Sequence, residues 1–541
     1  MDATHSILWF TWFVVCMFDV RFMTDSIFER VIRIVQFGSM AGFTIVVTKF
    51  DPKHQFDPDG NQETNDKRGN SNDFRTLSLI LMAVRLSLVA QYCCAFWLHR
   101  QERHRREREL GRDDPAIPKP EENPLLAAAA IHFIAAMVYL GIARRFDNQH
   151  NSRVYLAWYI GSALEAILQF ILAFRCDHNR INEIITFRGR KLTKRLAVFT
   201  LIILGEAISA ITKNIVLVVE NGKRWNSSTN GIFVSAVAIT YFIYLLYFDW
   251  MNHKDLHGYR QIIYSLLHFP FHAALLLLGA GSGVFIKWWQ AITPISLYDG
   301  EMLDHIRQIV ERSESDIKRQ YLTDKSTAIA EGLLNITLEI NRTYPIQYLK
   351  AWEAFYEAGN ITQRIPNSFW NSTSGAVFNK WYPRWEYARD KHAFSVYNVI
   401  LTTFKLNPAQ DEAEKGDYRL GLPKYAIQVE TTFRYIYACA GIVLVLMTCL
   451  HVLTLTKRDW KPFDYVRVAL FMLAGLGLGL VPVMSTDQNL DRAIDYIFTP
   501  YVLPTICLVV TCVFLVTHIH RPPVPIFARP GRKTRQRELP A

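Results

Sequence analysis

Arg85, Glu165, Glu206 and His272 lie inside long apolar runs. Charged side chains avoid that setting unless they have a partner or a task. Counted along its run, each sits about ten residues from an end, or ~15 Å at 1.5 Å per residue, near the middle of a bilayer. One guanidinium, two carboxylates and an imidazole at one depth point to an interior polar cluster, with Arg85 paired to one or both carboxylates. A carboxylate left unpaired there would take up a proton. Such a cluster either carries ions, protons or a substrate across a membrane, or locks helices together as a structural salt bridge. His132 and His268 are shallower, ~10 Å from one end of their runs.

Asp249, His253 and His257 follow at i, i+4 and i+8, one face of a helix if the helix continues. His268 and His272 flank Pro270 in HFPFH, where a proline removes a backbone donor and kinks the helix. His253, His257 and His268 are therefore weak metal candidates. A metal needs three or four convergent ligands, and neutral packed histidines are the competing account. No P-loop, H-E-x-x-H or G-x-S-x-G string occurs, so no catalytic residue is assigned and no cofactor is expected. Gly279 with Gly283, and Gly475 with Gly479, form G-x-x-x-G pairs inside apolar runs. They suit close helix approach, within the chain or in a homo-oligomer.

The elements that must position these groups are apolar runs at about 6–20, 31–48, 75–98, 125–143, 154–174, 196–219, 232–249, 261–286, 431–455, 465–484 and 497–518. A ~30 Å hydrocarbon core takes about 20 residues of helix, and lipid offers the backbone no partner, so each run is expected to be a helical span. Residues 6–18 lack a basic n-region and a small-residue cleavage site, and read as part of a first span. The fold class is all-α: a polytopic bundle of about 10–11 spans with one large extramembrane loop.

Lys and Arg crowd 99–124, 175–195 and the tail beyond His520, which places those segments and the C-terminus in the cytosol. Loop 485–496 and the long loop 287–430 fall on the other side. Asn-x-Ser/Thr sequons at Asn226, Asn335, Asn341, Asn360 and Asn371 all fall on that outer side, as glycosylation in a secretory membrane requires. The 301–342 part of the long loop has helical periodicity, and its remainder is rich in Trp, Phe and Tyr, so it reads as a small cap.

The whole chain has 541 residues, 50% of them hydrophobic and 20% charged, with mean hydropathy +0.07. A net charge of +11 would suggest nucleic acid in a soluble protein. Here the basic residues lie in loops between apolar runs, so they mark topology and no nucleic-acid partner is expected. The eight cysteines lie in or beside spans and suggest no disulfide framework.

FDVRF at 18–22, RLAVFTLIILGEAI at 195–208 and LYFDW at 246–250 together resemble the low temperature requirement A (LtrA) family, especially its fungal members. The likeness runs over about residues 8–290 and is weaker in the last three spans. It implies that Glu206 corresponds to the family's L-G-E glutamate, Asp249 to its F-D-W aspartate, and Asp19 and Arg21 to a charged pair after the first span. The chain departs from the family pattern at its start. The E-L-F-x-D-L-like motif of the family's first span is absent, so the start is either truncated or has lost it. The resemblance implies a fold and a membrane location, plasma membrane or endomembrane, more than a mechanism.

These readings combine into an organisation of residues 1–290 as the LtrA-like helical region, 291–430 as a luminal or extracellular module, 431–520 as a three-span region and 521–541 as a basic cytosolic tail. The expected function is ion- or proton-coupled transport or conduction through the midplane cluster, with the lipid bilayer and a small ion or molecule as partners. The alternatives are an integral-membrane enzyme built on the His/Asp residues, and a non-catalytic stress or assembly protein.

Overall fold

The computed structural model describes residues 4–22, 26–47, 64–110, 123–145, 156–178, 189–221, 226–250, 259–311, 324–371, 374–406, 421–455, 460, 462–485 and 495–518. All regular structure among them is helical. The helices are α1 (Thr4–Phe22), α2 (Ile27–Val47), α3 (Thr64–Leu110), α4 (Asn123–Arg145), α5 (Leu156–His178), α6 (Gly189–Asn221), α7 (Ser227–Trp250) and α8 (Tyr259–Glu311). They continue as α9 (Lys325–Thr343), α10 (Leu349–Gln363), α11 (Asn367–Trp370), α12 (Ala376–Thr403), α13 (Gly421–Thr454), α14 (Pro462–Leu480) and α15 (Val502–His518).

Among the described residues, 8 helices are long and apolar enough to cross a membrane, and they lie in α2, α3, α4, α6, α7, α8, α13 and α14. The remaining expected runs are helical too, as α1, α5 and the shorter α15. α3 and α8 outrun the spans expected from hydropathy by the most. α3 continues to Leu110, where Arg103 pairs with Glu107 at 2.9 Å and Arg105 with Glu109 at 3.1 Å. Such i, i+4 pairs support a helix that has left the apolar layer. α8 continues to Glu311 because its apolar face finds a new partner: Trp288, Ile295, Tyr298, Met302 and Ile309 are all buried.

The chain forms two compact units, Met1–Thr200 with Asn252–Pro270, and Leu201–Met251 with Phe271–Ala541. In the first, Phe74, Leu77, Leu81, Tyr139 and Trp158 form one core cluster, and Val14, Phe18, Leu88, Tyr92 and Leu125 another. Trp158 stacks on Phe74 at 4.4 Å and donates its indole N–H to Ser78 at 2.9 Å. Lipid is as apolar as these side chains, so close packing and such hydrogen bonds, not transfer from water, hold the helices together. α2 is turned inside out relative to a helix of a soluble protein. Ile27, Ile34, Phe37 and Ile45 are exposed, while Glu29 and Gln36 are buried. That pattern fits a helix with lipid on one face and a polar seam on the other.

In the second unit α13 and α14 cross at glycines. A Cβ on Gly441 would lie against the Gly475 carbonyl and 2.8 Å from Gly479 Cα. Similarly, a Cβ on Gly279 of α8 would stand 2.6 Å from Ala207 Cβ of α6. Both G-x-x-x-G pairs thus serve contacts within the chain. Helices α9 to α12 gather around Ile329, Leu333, Ala358, Val396, Ile400 and Phe404, all buried. Asp324 caps α9 by accepting from Thr327 N at 2.7 Å. Gly375, which precedes α12, has φ of 101°, a backbone region that favours glycine.

Candidate functional site

The polar centre of the first unit is built by four helices that each contribute one side chain: Thr11 from α1, Arg85 from α3, His132 from α4 and Glu165 from α5. Arg85 donates to Glu165 Oε2 from Nε at 3.1 Å and from Nη2 at 2.9 Å, and to Thr11 Oγ1 from Nη1 at 2.8 Å. His132 Nδ1 reaches the other carboxylate oxygen, Oε1, at 2.6 Å. Gln169, one turn beyond Glu165, has its amide nitrogen 3.0 Å from His132 Nε2. An amide N–H donates there, so the neutral ring carries its proton on Nδ1 and gives it to Glu165. Arg85, His132 and Glu165 are essentially shut off from the surface, at 0%, 0% and 3% exposure. Tyr139 lies under the guanidinium at 5.2 Å and donates to or accepts from Ser162 at 2.9 Å. Tyr92 stacks on the His132 ring at 5.5 Å.

A buried ion pair is stable only when its remaining donors and acceptors are also met. Here Arg85 uses all three nitrogens and Glu165 both oxygens. The sequence needs four separate helices to do this, which is why no short motif announces it.

Two further polar groupings lie in the same unit. Along the α2/α3 seam, Gln91 donates to Glu29 Oε2 at 2.6 Å, and Gln36 donates to Gln91 at 2.8 Å and to Ser87 at 3.1 Å. At the end of α1, Asp19 pairs with Arg33 of α2 at 3.3 Å and with Arg195 of α6 at 3.1 Å. Arg21 hydrogen-bonds Tyr92, which ties this end of α1 to the ring above His132.

Of the residues singled out from sequence, Arg85 and Glu165 come together, and His132 joins them. Glu206 is exposed on α6, and His272 is buried on α8; both belong to the second unit. Asp249 is exposed at the end of α7. His268 is buried, with Nδ1 at 2.7 Å from the Tyr264 carbonyl. His253 and His257 lie outside the described residues. Among the described residues no three His, Cys, Asp or Glu side chains gather as metal ligands would. The sequon residues Asn226, Asn335, Asn360 and Asn371 are exposed and Asn341 is half-buried. Asn226 Oδ1 caps α7 by accepting from Thr229 N at 2.8 Å.

Sequence reasoning passed over Thr11, Tyr139, Gln169, Glu29, Gln36 and Gln91. The glutamines carried a signal, being uncharged polar groups inside or beside apolar runs. Thr11 carried none, since threonine commonly bonds its own helix backbone.

A protein-family model described as Bacterial low temperature requirement A protein (LtrA) matches residues 4–295. No curated protein and no solved structure matches. The matched stretch contains every residue of the buried ion triad and both motif aspartates.

Proposed function

The chain belongs to the low temperature requirement A family and is a multi-pass membrane protein, and from that premise we propose that it moves protons, or a small solute coupled to protons, with Glu165 as the group whose charge state drives the step. The observation that carries this reading is the double engagement of Glu165, by Arg85 on one oxygen and His132 on the other, away from all solvent.

A proton delivered to Glu165 cancels its charge and leaves Arg85 buried without a counter-charge. Breaking a buried pair in that way costs ~3–5 kcal/mol. The protonated and ionised forms therefore favour different arrangements of α1, α3, α4 and α5, which is the coupling that alternating access requires. His132 supplies a route. A proton bound at Nε2 makes the ring cationic, and the ring then releases its Nδ1 proton to Oε1. Glu206, at the same depth by residue count and exposed on α6, enters this proposal as a separate proton-carrying carboxylate of the second unit, with His272 as its neighbour in depth. The Lys and Arg bias supports a cytosolic C-terminus and an outward-facing, glycosylated 287–430 segment.

A second reading has its own support: the complete hydrogen bonding of Arg85 suits a permanent lock between helices. Purified protein in liposomes with an entrapped pH-sensitive dye separates the two. Under an imposed pH gradient the wild type should acidify the lumen, and the charge-free double variant R85Q/E165Q should remain folded but silent. Undiminished proton flux in that double variant would overturn the proposal.

A further inference from the structure

α10, its cap residue Arg364 and α12, outside the helices long and apolar enough to cross a membrane, form a half-open cleft of about 470 Å³ lined by Ile361, Arg364, Trp381, Pro383, Arg384 and Tyr387. That volume is in the range of small-molecule sites. One part of the wall is apolar, from Ile361, Pro383 and the faces of two aromatic rings. The rest is cationic.

The cations are in surplus for a reason visible in the pairing of the nearby acids. Glu357 is taken by Lys391, and its other oxygen accepts from the Tyr387 hydroxyl at 3.4 Å. Asp390 pairs with Arg389 at 2.9 Å, and Glu386 lies 4.0 Å from the same guanidinium. Arg364 and Arg384 have no ion pair among the described residues. Arg384 instead lies over the Trp381 ring at 4.9 Å, with Lys380 Nζ 5.7 Å from that ring. A guanidinium laid on an indole keeps its flat fork of donors in place and sheds water readily, which suits the planar or tetrahedral oxygens of an anion.

We propose that this cleft binds a small organic oxoanion, a carboxylate or phosphate carried on a ring-sized body. Arg364 and Arg384 hold the oxygens, and Trp381, Tyr387, Ile361 and Pro383 receive the body. The inference is independent of the proton reading, since it uses none of the membrane-embedded residues.

The full-length protein, purified in detergent, is titrated calorimetrically with glucose 6-phosphate, glucuronate, glucose and a short-chain phosphatidylinositol phosphate. The two charged sugars should bind and glucose should not. The R364Q/R384Q variant loses two charge-assisted contacts, so its binding should weaken about tenfold or more while its melting temperature stays put. Binding of the lipid alone, lost in the same variant, would still support the oxoanion site and name a membrane headgroup as the source. Silence from every charged probe, equal binding of glucose, or full binding by R364Q/R384Q would overturn it.

Discussion

Arg85 and Glu165 meet through two donors on a single oxygen, Nε at 3.1 Å and Nη2 at 2.9 Å from Oε2, which leaves Oε1 wholly to His132. The carboxylate thus faces a guanidinium on one side and an imidazole on the other. That asymmetry separates this arrangement from a simple two-residue salt bridge.

Arg85→Met and Glu165→Gln should each destabilise the detergent-purified protein by ~3–5 kcal/mol, because each strands a buried partner. The double variant should regain most of that loss. A thermal-shift double-mutant cycle measures the coupling, and additive losses would mean the pair is not an energetic unit.

His132→Gln should leave stability within ~1 kcal/mol of wild type, since an amide N–H replaces one hydrogen bond to Glu165. The same variant should lose proton flux, because an amide does not accept and release protons near neutral pH. Equal flux in His132→Gln and wild type would remove the imidazole from the route.

Gly441→Ala should destabilise by ~1–3 kcal/mol through overpacking of the α13/α14 crossing. Gly477→Ala, where a Cβ meets nothing within 4 Å, is the matched control and should be near neutral. Thermal shift of the two variants side by side checks the difference.

The helical module α9–α12 should loosen in acid. His392 accepts from the Tyr298 hydroxyl at Nδ1, 2.6 Å, and its Nε2 lies 2.8 Å from Thr337 Oγ1, with Phe355 edge-on at 5.1 Å. Burial holds its pKa down at about 4 against an ordinary 6.5. A depressed histidine favours the neutral ring in the folded state. Its stabilisation is therefore fully present above pH 6.5 and drains away as pH falls toward 4, by on the order of 3 kcal/mol in all. Hydrogen exchange of α9 and α12 should accelerate across that window, and His392→Gln should flatten the dependence.

Asn226→Asp should remove one glycan from protein made in eukaryotic cells, seen as a smaller mobility shift on deglycosylation. The same change should leave α7 as stable, because an aspartate oxygen also caps. An unchanged shift would show that Asn226 carries no glycan.

Much of the fold was legible because lipid leaves the backbone so few choices: every long apolar run became a helix. What hydropathy missed was where helices stop. α8 runs on past its apolar layer because Tyr298 and Asp299 bond His392 and Tyr397 of α12, a tertiary event with no local mark. At the candidate site, depth counting singled out Arg85 and Glu165, since both are charges far from any span end, and the two pair in the structure. It could not choose partners, because equal depth does not say which helices are neighbours. Hence Glu206 was grouped with them while His132, a few ångströms shallower by count, was left aside although it touches Glu165.

Tyr298 and Asp299 sit on the far stretch of α8 and bond His392 and Tyr397 of α12, the latter pair at 2.5 Å. One helix, Tyr259–Glu311, thus carries both a stretch long and apolar enough to cross a membrane and the contacts that hold α12. An antibody fragment that clamps α12 would act as a handle on α8 itself, so a reagent that never enters the bilayer can lock a helix long and apolar enough to cross it.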